Sequence, residues 1–480
     1  MVKIFLNYNW GGTEREHQVT THLCELIDVE SIGATVVGRE PYEYIKQQTD
    51  IDYDPLYCIQ DVHNEIIQQS YQTDRIDDLE QRFGVPHLWP AIWADRKYIH
   101  YGSEKQKRLI QGWFDFYLDV FETFQPDIYL TPSVDSAYTW IPFRIVTEEY
   151  GIAAQKGHTR ILDNEALQKT VYDDFEAIWS RYESIKSHGE PEEQYPQSYQ
   201  NAVNFLDEFR SSGLVPGYTS DTTTSTSDQS VVREALNYWY EKNFGHYKKD
   251  FYHDSTRERI KISLKRLFRK RRVTQLDLFR DPNYDEKYVF FPLHLQPEAS
   301  TMVKSPMYMH LPDVIRNISK SLPVNHKLYV KEHPSLLEYK VRPIRYYNEI
   351  DDLPNTELID PNADSHALIK NAEAVSTVTG TAGLEGVLYK KPVITFGNPH
   401  YDKLPQVYST DSPEELGLIL SRALTDHTHT QDYENELLHY LTAIFEESYP
   451  TPQGKTGAKL QDVIDRQCEI LKEDLIYQIN

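Results

Sequence analysis

The stretch from Ala374 to Gly386 decides the fold and reads Ala-Val-Ser-Thr-Val-Thr-Gly-Thr-Ala-Gly-Leu-Glu-Gly. It starts as a short apolar strand, turns at a run of threonine and glycine, and continues with the apolar spacing of a helix. A strand that passes through such a turn into a helix is the repeating unit of parallel α/β sheets. The chain is therefore predicted to contain an α/β domain around this stretch.

The same alternation extends in both directions along the chain. In the second half, strands are predicted at 288–295, 327–331, 356–359 and 392–396, with helices at 309–321, 364–372 and 382–390. In the first half, strands are predicted at 2–6, 34–38, 128–130 and 152–155, with helices at 14–27, 104–124 and 137–149. Helices at 412–424, 431–448 and 457–474 close the chain. We therefore expect two α/β units followed by helices.

Charge and composition exclude several classes of protein. The 480 residues include 50 Lys and Arg against 74 Asp and Glu, and the net charge of −24 argues against general nucleic-acid binding. Hydrophobic residues at 39% and charged residues at 26% indicate a globular chain. No apolar run approaches the ~18 residues of a membrane span. The N-terminus has no signal-peptide pattern and the three cysteines are far apart, so we expect a cytoplasmic protein.

One segment departs from the acidic background. Residues 256–272 contain nine Lys and Arg among seventeen residues, and apolar residues at Ile260, Leu264, Leu267 and Phe268 form a helical stripe. A basic amphipathic helix of this kind binds anionic membrane surfaces, so 257–272 is a candidate for association with the inner face of the membrane. The alternative is a linker helix whose stripe docks on a domain.

The turn after the decisive strand has the composition of an anion site. Its glycines at 380, 383 and 386 would let a ligand approach the backbone at a helix N-terminus, where unpaired N–H groups favour phosphate. The alternative is an ordinary helix cap in which Thr379 or Thr381 is the capping residue. Lys331 and His333 end a neighbouring predicted strand and favour the anion site, because both side chains bind phosphoryl oxygens. Glu385 could accept hydrogen bonds from a ribose.

Three segments together resemble a known family. Lys331-Glu-His-Pro334, Ser376 to Glu385 and Lys391-Pro-Val-Ile-Thr-Phe-Gly397 resemble the capsular polysaccharide synthesis family of glycosyltransferases, which includes Kdo transferases. The His-Pro and Ser/Thr segments are also similar to those of bacterial sialyltransferases. Phe290 to Glu298 looks like the opening segment of the family's second domain. The resemblance covers about residues 287–402 and is thinner over the first 200.

The resemblance implies an α/β protein of GT-B architecture, with two Rossmann-like domains facing across a cleft, a helical insertion and C-terminal helices. Residues 1–255 would form the acceptor-side domain with the helical insertion and a flexible loop at 219–230, and 256–286 a basic linker helix. Residues 287–450 would bind the nucleotide sugar, and 451–480 would form a helix that returns to the first domain.

Site residues follow from the same resemblance. His333 would contact the donor phosphate, Glu385 the ribose, and Gln296 would line the cleft. Phosphate and ribose contacts would come from Ser376, Thr377, Thr379, Gly380 and Thr381. No bound cofactor or metal is implied, which agrees with the weak carboxylate spacing of Asp50 to Asp54. Further cleft residues would be Gly11, Gly12, His158, Arg160 and His294.

The catalytic base should lie at a strand end of the first domain, since an acceptor hydroxyl must be deprotonated. Asp135, in the loop after the strand at 128–130, fits this position best, and Glu14, His158 and Arg160 are the other candidates. The acid-rich motif of the sialyltransferases is not matched. This leaves the identity of the sugar open.

The favoured function is therefore a metal-independent glycosyltransferase of surface or capsular polysaccharide assembly. A CMP-activated acidic sugar is the favoured donor, and a glycan or glycolipid is the expected acceptor. The alternatives are a polyol-phosphate transferase that uses a CDP-alcohol, as in teichoic-acid synthesis, a nucleotide-sugar epimerase, and a catalytically inactive GT-B assembly subunit.

Overall fold

The computed structural model describes most of the chain. The described residues are 1–9, 12–84, 87–161, 164–169, 175–212, 237–245, 251, 255–257, 260–261, 264–265, 268–269, 278–333, 342–410, 412–425, 431–450 and 460–476. Several predicted features lie outside them, namely Gly11, the loop at 219–230 and much of the basic run at 257–272.

The first sheet combines a parallel core with an antiparallel edge. Its strands are β1 (Val2–Tyr8), β2 (Val29–Val36), β3 (Tyr53–Cys58), β4 (Ile128–Thr131), β5 (Ile152–Ile161), β6 (Asn164–Gln168) and β13 (Tyr449–Pro450). The order is β13-β6-β5-β4-β1-β2-β3, and only the β5–β6 and β6–β13 pairs are antiparallel. Strands β1 and β4 are buried almost throughout, as expected for a parallel sheet covered by helices on both faces.

The second sheet is parallel throughout. Its strands are β7 (Tyr288–Pro292), β8 (Lys327–Lys331), β9 (Thr356–Ile359), β10 (Ala374–Thr377), β11 (Val393–Thr395) and β12 (Val407–Ser409). The order β12-β11-β10-β7-β8-β9 places β7 between β8 and β10. The carboxyl ends of β7, β8 and β10 therefore meet at one edge of the sheet. The predicted α/β class with two Rossmann-like sheets is confirmed.

Helices cover both sheets. Those of the first half are Thr13–Leu26, Arg39–Lys46, Ile59–Ile66, Thr73–Phe83, Pro90–Trp93, Ser103–Phe124, Ala137–Glu149, Glu176–His188, Pro191–Gln194 and Pro196–Ser212. Those of the second half are Ala299–Met302, Leu311–Ser321, Ile344–Asp351, Ser365–Asn371, Thr381–Leu388, Leu416–Thr425, Gln431–Glu446 and Leu460–Leu471. Short 3₁₀ turns lie at Tyr98–His100 and Pro306–Tyr308, and Lys472–Ile476 is a π-helical turn. No helix in the described part of the chain is both long enough and apolar enough to cross a bilayer.

The chain crosses between the sheets more than once. The helices Glu176–His188 and Pro196–Ser212 precede residue 255, yet they pack against Gln431–Glu446 and share a core with the second sheet. The chain then returns to the first sheet at β13, and the helix Leu460–Leu471 packs on Thr13–Leu26. Sequence position alone therefore does not assign a helix to a sheet.

Candidate functional site

The turn between β10 and the helix Thr381–Leu388 is held from inside by Thr377. The Thr377 hydroxyl accepts the Gly380 N–H at 3.0 Å and lies 3.0 Å from Nε2 of His294. Ser376 and Thr377 are both 0% exposed. Because neither hydroxyl is at the surface, only the residues after Thr377 in this segment are placed to contact a ligand. Thr377 instead stabilises the conformation of the turn.

His294 is a buried support for the same turn. Its Nε2 accepts the N–H of Val378 at 3.1 Å, which leaves the ring proton on Nδ1. Burial, helped by the nearby charges of Arg342 and His333, lowers the pKa of His294 to about 4. His294 is therefore neutral near pH 7 and supplies no positive charge to a ligand.

The glycines of the turn make room for protein atoms. A Cβ on Gly380 would lie 2.7 Å from Oγ1 of Thr377, and one on Gly383 would lie 2.1 Å from the hydroxyl of Tyr401. That hydroxyl donates a hydrogen bond to the Gly380 carbonyl. A Cβ on Gly386 would lie 3.1 Å from the side chain of Val375 in β10 and 3.0 Å from that of Val393 in β11. Packing within the protein therefore explains why these three positions are glycine. The sequence had suggested instead that the glycines let a ligand approach the backbone.

Thr379 and Thr381 form the accessible edge of the turn. Thr381 is exposed, while the half-buried Thr379 donates its hydroxyl proton to the Ser300 carbonyl at 3.1 Å. Thr381 begins a helix of eight residues whose N-cap is Gly380. The first N–H groups of a helix and its dipole favour an anion at this end. The groups of this segment that a ligand could reach are therefore the helix N-terminus and Thr381.

Lys331 and Glu385 carry opposite charges and are both withdrawn from solvent. Lys331 is 4% exposed, and its Nζ donates to Oγ of Ser365 at 2.9 Å. Burial lowers the pKa of Lys331 more than the surrounding carboxylates raise it. Burial also raises the pKa of Glu385 to about 7, and the attraction of Lys331 offsets only part of this. A buried, partly protonated carboxyl beside a lysine has the character of a binding group.

His366 completes this cluster. Its Nδ1 lies 4.0 Å from Oε2 of Glu385, whose side chain is 17% exposed. Burial, followed by Lys370, lowers the pKa of His366 even though Asp364 opposes the shift. The cluster of lysine, serine, histidine and glutamate can donate and accept hydrogen bonds, as recognition of a ribose phosphate requires.

His333 lies at the exposed end of β8 beside a buried ion pair. Glu332 is 0% exposed, and its carboxylate accepts hydrogen bonds from Arg342 Nε at 2.9 Å, the Tyr347 hydroxyl at 2.9 Å and the His333 N–H at 2.8 Å. This network fixes the backbone of His333. Partial burial, together with the charges of Lys331 and Arg342, lowers the pKa of His333. A neutral His333 can still donate one N–H to an anionic oxygen.

The side chain of Gln296 is hydrogen-bonded within the protein. Its Nε2 donates to the Met309 carbonyl at 2.7 Å and to Oγ1 of Thr301 at 3.3 Å, while its Oε1 accepts from Arg342 at 3.4 Å. Arg342 also donates to the carbonyl of His294. Gln296 and Arg342 therefore hold the loop after β7 against the end of β8.

A chain of hydrogen bonds leads from the turn to Glu298, on which the charge of Asp135 in the first domain acts. Ser300, whose carbonyl binds Thr379, donates its own hydroxyl to Glu298 at 3.0 Å. Burial, with a contribution from Asp135, raises the pKa of Glu298. The helix Ala299–Met302 and Val303 pack against the core of the first sheet. Glu298 of the second sheet's loop and Asp135 of the first domain are therefore close enough to affect one another.

Asp95 lies behind this pair. It is 0% exposed and accepts the N–H groups of Lys97 and Tyr98 at 2.8 Å each. Burial, with the nearby charge of Asp135, raises the pKa of Asp95 to about 7 against the effect of these hydrogen bonds. Asp135 itself is half-buried and accepts the Ser133 hydroxyl at 2.6 Å. Of the three, Asp135 and Glu298 have some exposure, and Asp95 has none.

The remaining predicted residues are scattered. Gly12 is the N-cap of the helix Thr13–Leu26, and Glu14 is exposed on its first turn. His158 and Arg160 lie on β5, but their side chains are outside the described part of the chain. Asp50 is bound by His17 at 3.1 Å and by Thr21 at 3.0 Å. Within the described residues, no group of three or more His, Cys, Asp or Glu is arranged to hold a metal ion.

Sequence reasoning missed Asp95, Glu298, Arg342 and His366. Arg342 donates a hydrogen bond to His294, and Asp95 is affected by the charge of Asp135; both partners are 40 or more positions away, which no local pattern reveals. Glu298 was visible in the segment after β7, but its proximity to Asp135 depends on how the two sheets meet. His366 follows Ser365, the hydrogen-bond partner of Lys331, and this contact across 34 positions is visible only in the structure.

The family comparison covers the part of the chain that contains the turn after β10. Residues 195–404 match the family model for capsule polysaccharide biosynthesis proteins. The match confirms the resemblance, supports a glycosyltransferase, and includes every residue of the site from His294 to Glu385. No curated protein sequence matches the chain significantly.

Solved structures offer remote likenesses. The beta Kdo 2,7 transferase KpsC of Thermosulfurimonas dismutans is 13% identical, with coverage of 68% of this chain and 88% of that one and a TM-score of 0.34. A UDP-GlcNAc 2-epimerase of Methanocaldococcus jannaschii, solved with UDP-GlcNAc and UDP, is 11% identical, with coverage of 91% of this chain and 97% of that one and a TM-score of 0.28. A glycosyltransferase of Rickettsia africae is 10% identical over 98% of both chains, with a TM-score of 0.29. At such TM-scores, none of these likenesses indicates a substrate.

Proposed function

We propose that the protein is a glycosyltransferase of capsular or other surface polysaccharide assembly. It transfers a sugar, favoured to be an acidic sugar activated by CMP, to a hydroxyl of a glycan or glycolipid. The main support is that Lys331, His333 and the N-terminus of the helix Thr381–Leu388 lie at one sheet edge, within the range that matches the family. Ligands of open α/β sheets bind at this edge.

The positive groups of the edge suit a departing phosphate. As the bond between sugar and nucleotide breaks, negative charge develops on the phosphate oxygens, and fixed donors at those oxygens stabilise it. Lys331 would supply a charge, His333 and Thr381 would supply hydrogen bonds, and the helix N-terminus would supply oriented N–H groups. We propose that these groups act without a metal ion, so a chelator should leave turnover unchanged.

Asp135 is the proposed base for the acceptor hydroxyl. It is half-buried, and its charge acts on Glu298, which is joined to the turn by hydrogen bonds through Ser300 and Thr379. Removing a general base typically lowers the rate by about 10²–10⁴-fold. Asp135→Asn should therefore abolish most acceptor-dependent nucleotide release, whereas Asp119→Asn, an exposed carboxylate of the same domain, should not. Full turnover by Asp135→Asn would remove the assignment.

A thermal-shift screen over nucleotides tests the donor. CMP should raise the melting temperature, and His333→Ala should remove the increase. His310→Ala is the matched control, because His310 is an exposed histidine of the same domain that binds Asp313 at 2.8 Å. Stabilisation by UDP and not by CMP would show that the donor choice is wrong.

The products separate the rival functions. A polyol-phosphate transferase releases CMP from a CDP-alcohol and leaves a phosphodiester on the acceptor, whereas a glycosyltransferase leaves a glycoside. An epimerase converts the nucleotide sugar without any acceptor. An inactive subunit would bind nucleotide and release none with any acceptor. Mass spectrometry of the acceptor after incubation with each donor distinguishes these outcomes.

We also propose peripheral association with an anionic membrane through residues 257–272. Among the described residues of this run, Ile260, Leu264 and Phe268 are 56%, 51% and 72% exposed. Their spacing of four places them on one helix face, as in helices that lie on bilayers. Neutralising Arg269 to Arg272 should weaken co-sedimentation with anionic vesicles, and unchanged binding would refute the proposal.

A further inference from the structure

A second exposed apolar cluster lies before the basic run. Residues 237–243 are helical, and this helix with the next residue carries Trp239, Tyr240 and Phe244, which are 46%, 57% and 66% exposed. Their rings contact one another, with centroids 5.6 Å apart for Trp239 and Phe244 and 5.9 Å apart for Tyr240 and Phe244. In contrast, Trp113 and Trp140 are 0% and 2% exposed. Three clustered, exposed aromatic side chains on one short segment require a partner.

The charge around this cluster selects an anionic partner. Residues 237–272 contain twelve Lys and Arg and four Asp and Glu, a net charge of +8, so the rest of the chain carries −32. An anionic surface would attract this segment in preference to the rest of the protein. A second copy of the segment would be repelled, because both copies would bring positive charge to the contact.

The side-chain types select a bilayer over a nucleic acid. Tryptophan and tyrosine concentrate at the headgroup level of membranes, where their rings meet both apolar and polar groups. Nucleic-acid sites use aromatic rings for stacking on bases, but exposed aliphatic residues such as Ile260 and Leu264 have no role there. Aliphatic and aromatic residues together with basic ones are typical of a segment that lies in the bilayer interface.

We propose that Trp239, Tyr240 and Phe244 form an aromatic anchor that inserts into the headgroup region of an anionic bilayer. The proposal deepens the membrane association proposed above and rests on it, but its residues are different. Phe251, seven residues beyond Phe244, stacks on the buried His63 of the first domain with ring centroids 3.7 Å apart. Seven residues span at most about 25 Å. The anchor therefore holds the first domain, which carries the proposed acceptor base, close to the membrane.

The emission of Trp239 tests the insertion directly. The full-length chain has seven tryptophans, so the contribution of Trp239 is the difference between the wild type and Trp239→Phe. Vesicles of phosphatidylglycerol mixed with phosphatidylcholine should shift this difference spectrum to shorter wavelength and protect it from a water-soluble quencher. Phosphatidylcholine vesicles alone should shift it much less.

Co-sedimentation measures the contribution of the anchor. The triple variant Trp239→Ser, Tyr240→Ser and Phe244→Ser should bind the anionic vesicles at least about tenfold more weakly, because each ring loses its interfacial burial. A matched control replaces three exposed apolar residues of the second domain: Met307→Ser, Val324→Ser and Leu418→Ser, at 86%, 105% and 67% exposure. This control should bind as the wild type does.

The outcomes separate the anchor from the basic run. Vesicle binding that depends on Arg269 to Arg272 but gives no Trp239 shift overturns the anchor and leaves the basic run in place. If the emission of Trp239 still shifts with vesicles after the basic run is neutralised, the anchor is supported and the proposed role of the basic run is refuted. A shift that follows protein concentration without vesicles identifies a self-association surface and overturns the anchor. Tight RNA binding by the wild type, lost in the triple variant, also overturns it.

Discussion

Replacing Glu385 by glutamine should stabilise the protein at alkaline pH and weaken its binding of nucleotide. Burial raises the pKa of Glu385 from the ordinary 4.5 to about 7. Between these two pH values, the folded chain holds the proton more tightly than the unfolded chain, so stability falls as the pH rises. Above about pH 7, the ionised carboxylate lowers the free energy of unfolding by about 3 kcal/mol.

Glutamine keeps the shape of the protonated carboxyl and never ionises, so Glu385→Gln removes this penalty. The gain should be below about 1 kcal/mol at about pH 5 and about 3 kcal/mol at about pH 8. At about 2–4 °C per kcal/mol for a domain of this size, the melting temperature should rise by roughly 6–12 °C at the higher pH. If Glu385 binds ribose hydroxyls, the same variant should lose much of the stabilisation by CMP.

Differential scanning fluorimetry across a pH series measures both effects. Glu415→Gln is the matched control, because Glu415 is an exposed glutamate of the same domain; it should give a small difference that does not change with pH. A lower melting temperature of Glu385→Gln at about pH 8 would refute the reasoning, since it would mean that attraction to Lys331 outweighs burial. A gain in stability with unchanged CMP binding would refute only the ribose role.

Three further predictions follow from buried contacts. Arg342→Met should lower the free energy of unfolding by about 3–5 kcal/mol, because the fully buried carboxylate of Glu332 loses its ion-pair partner. Adding Glu332→Gln should restore most of this free energy. Equal urea midpoints for the single and double variants would contradict this prediction. Gly383→Ala places a Cβ 2.1 Å from the Tyr401 hydroxyl and should cost about 1–3 kcal/mol in the same assay, whereas Gly417→Ala, with nothing within 4 Å, should cost nothing. Burial lowers the pKa of His63 to about 3, so the unfolded chain takes up the proton first below about pH 6.5 and stability falls with falling pH. His63→Gln should therefore raise the free energy of unfolding by about 2 kcal/mol more at about pH 5 than at about pH 8. Melting curves at both pH values measure this difference, and His188→Gln, at an exposed histidine, is the control.

Local patterns predicted the elements of the site well. The strand, turn and helix around Thr377 were read from the order of apolar, threonine and glycine residues, and β8 with Lys331 at its end was read in the same way. These features depend on interactions between near neighbours in sequence. Strands β3, β6, β12 and β13 were not predicted from the sequence pattern.

The roles of individual side chains were harder to predict. Ser376 and Thr379 belong to the same short segment, but Ser376 is buried in β10 and Thr379 binds Ser300, 79 positions away. Gln296 was expected to face a ligand, while in the structure its amide is occupied by Thr301 and Met309. A hydrogen-bond partner is chosen by three-dimensional proximity, which residue type alone does not contain.

The sequence by itself determined the α/β class, the two sheets and the position of the turn between β10 and the helix Thr381–Leu388, because hydrophobic period and glycine placement act locally. Only the tertiary structure decided that the helices Glu176–His188 and Pro196–Ser212 belong with the second sheet. It also decided that the charge of Asp135 acts on both Asp95 and Glu298 and helps to raise their pKa values. Such pairings depend on contacts far apart in sequence and on the exclusion of water, and both arise only when the sheets are packed together.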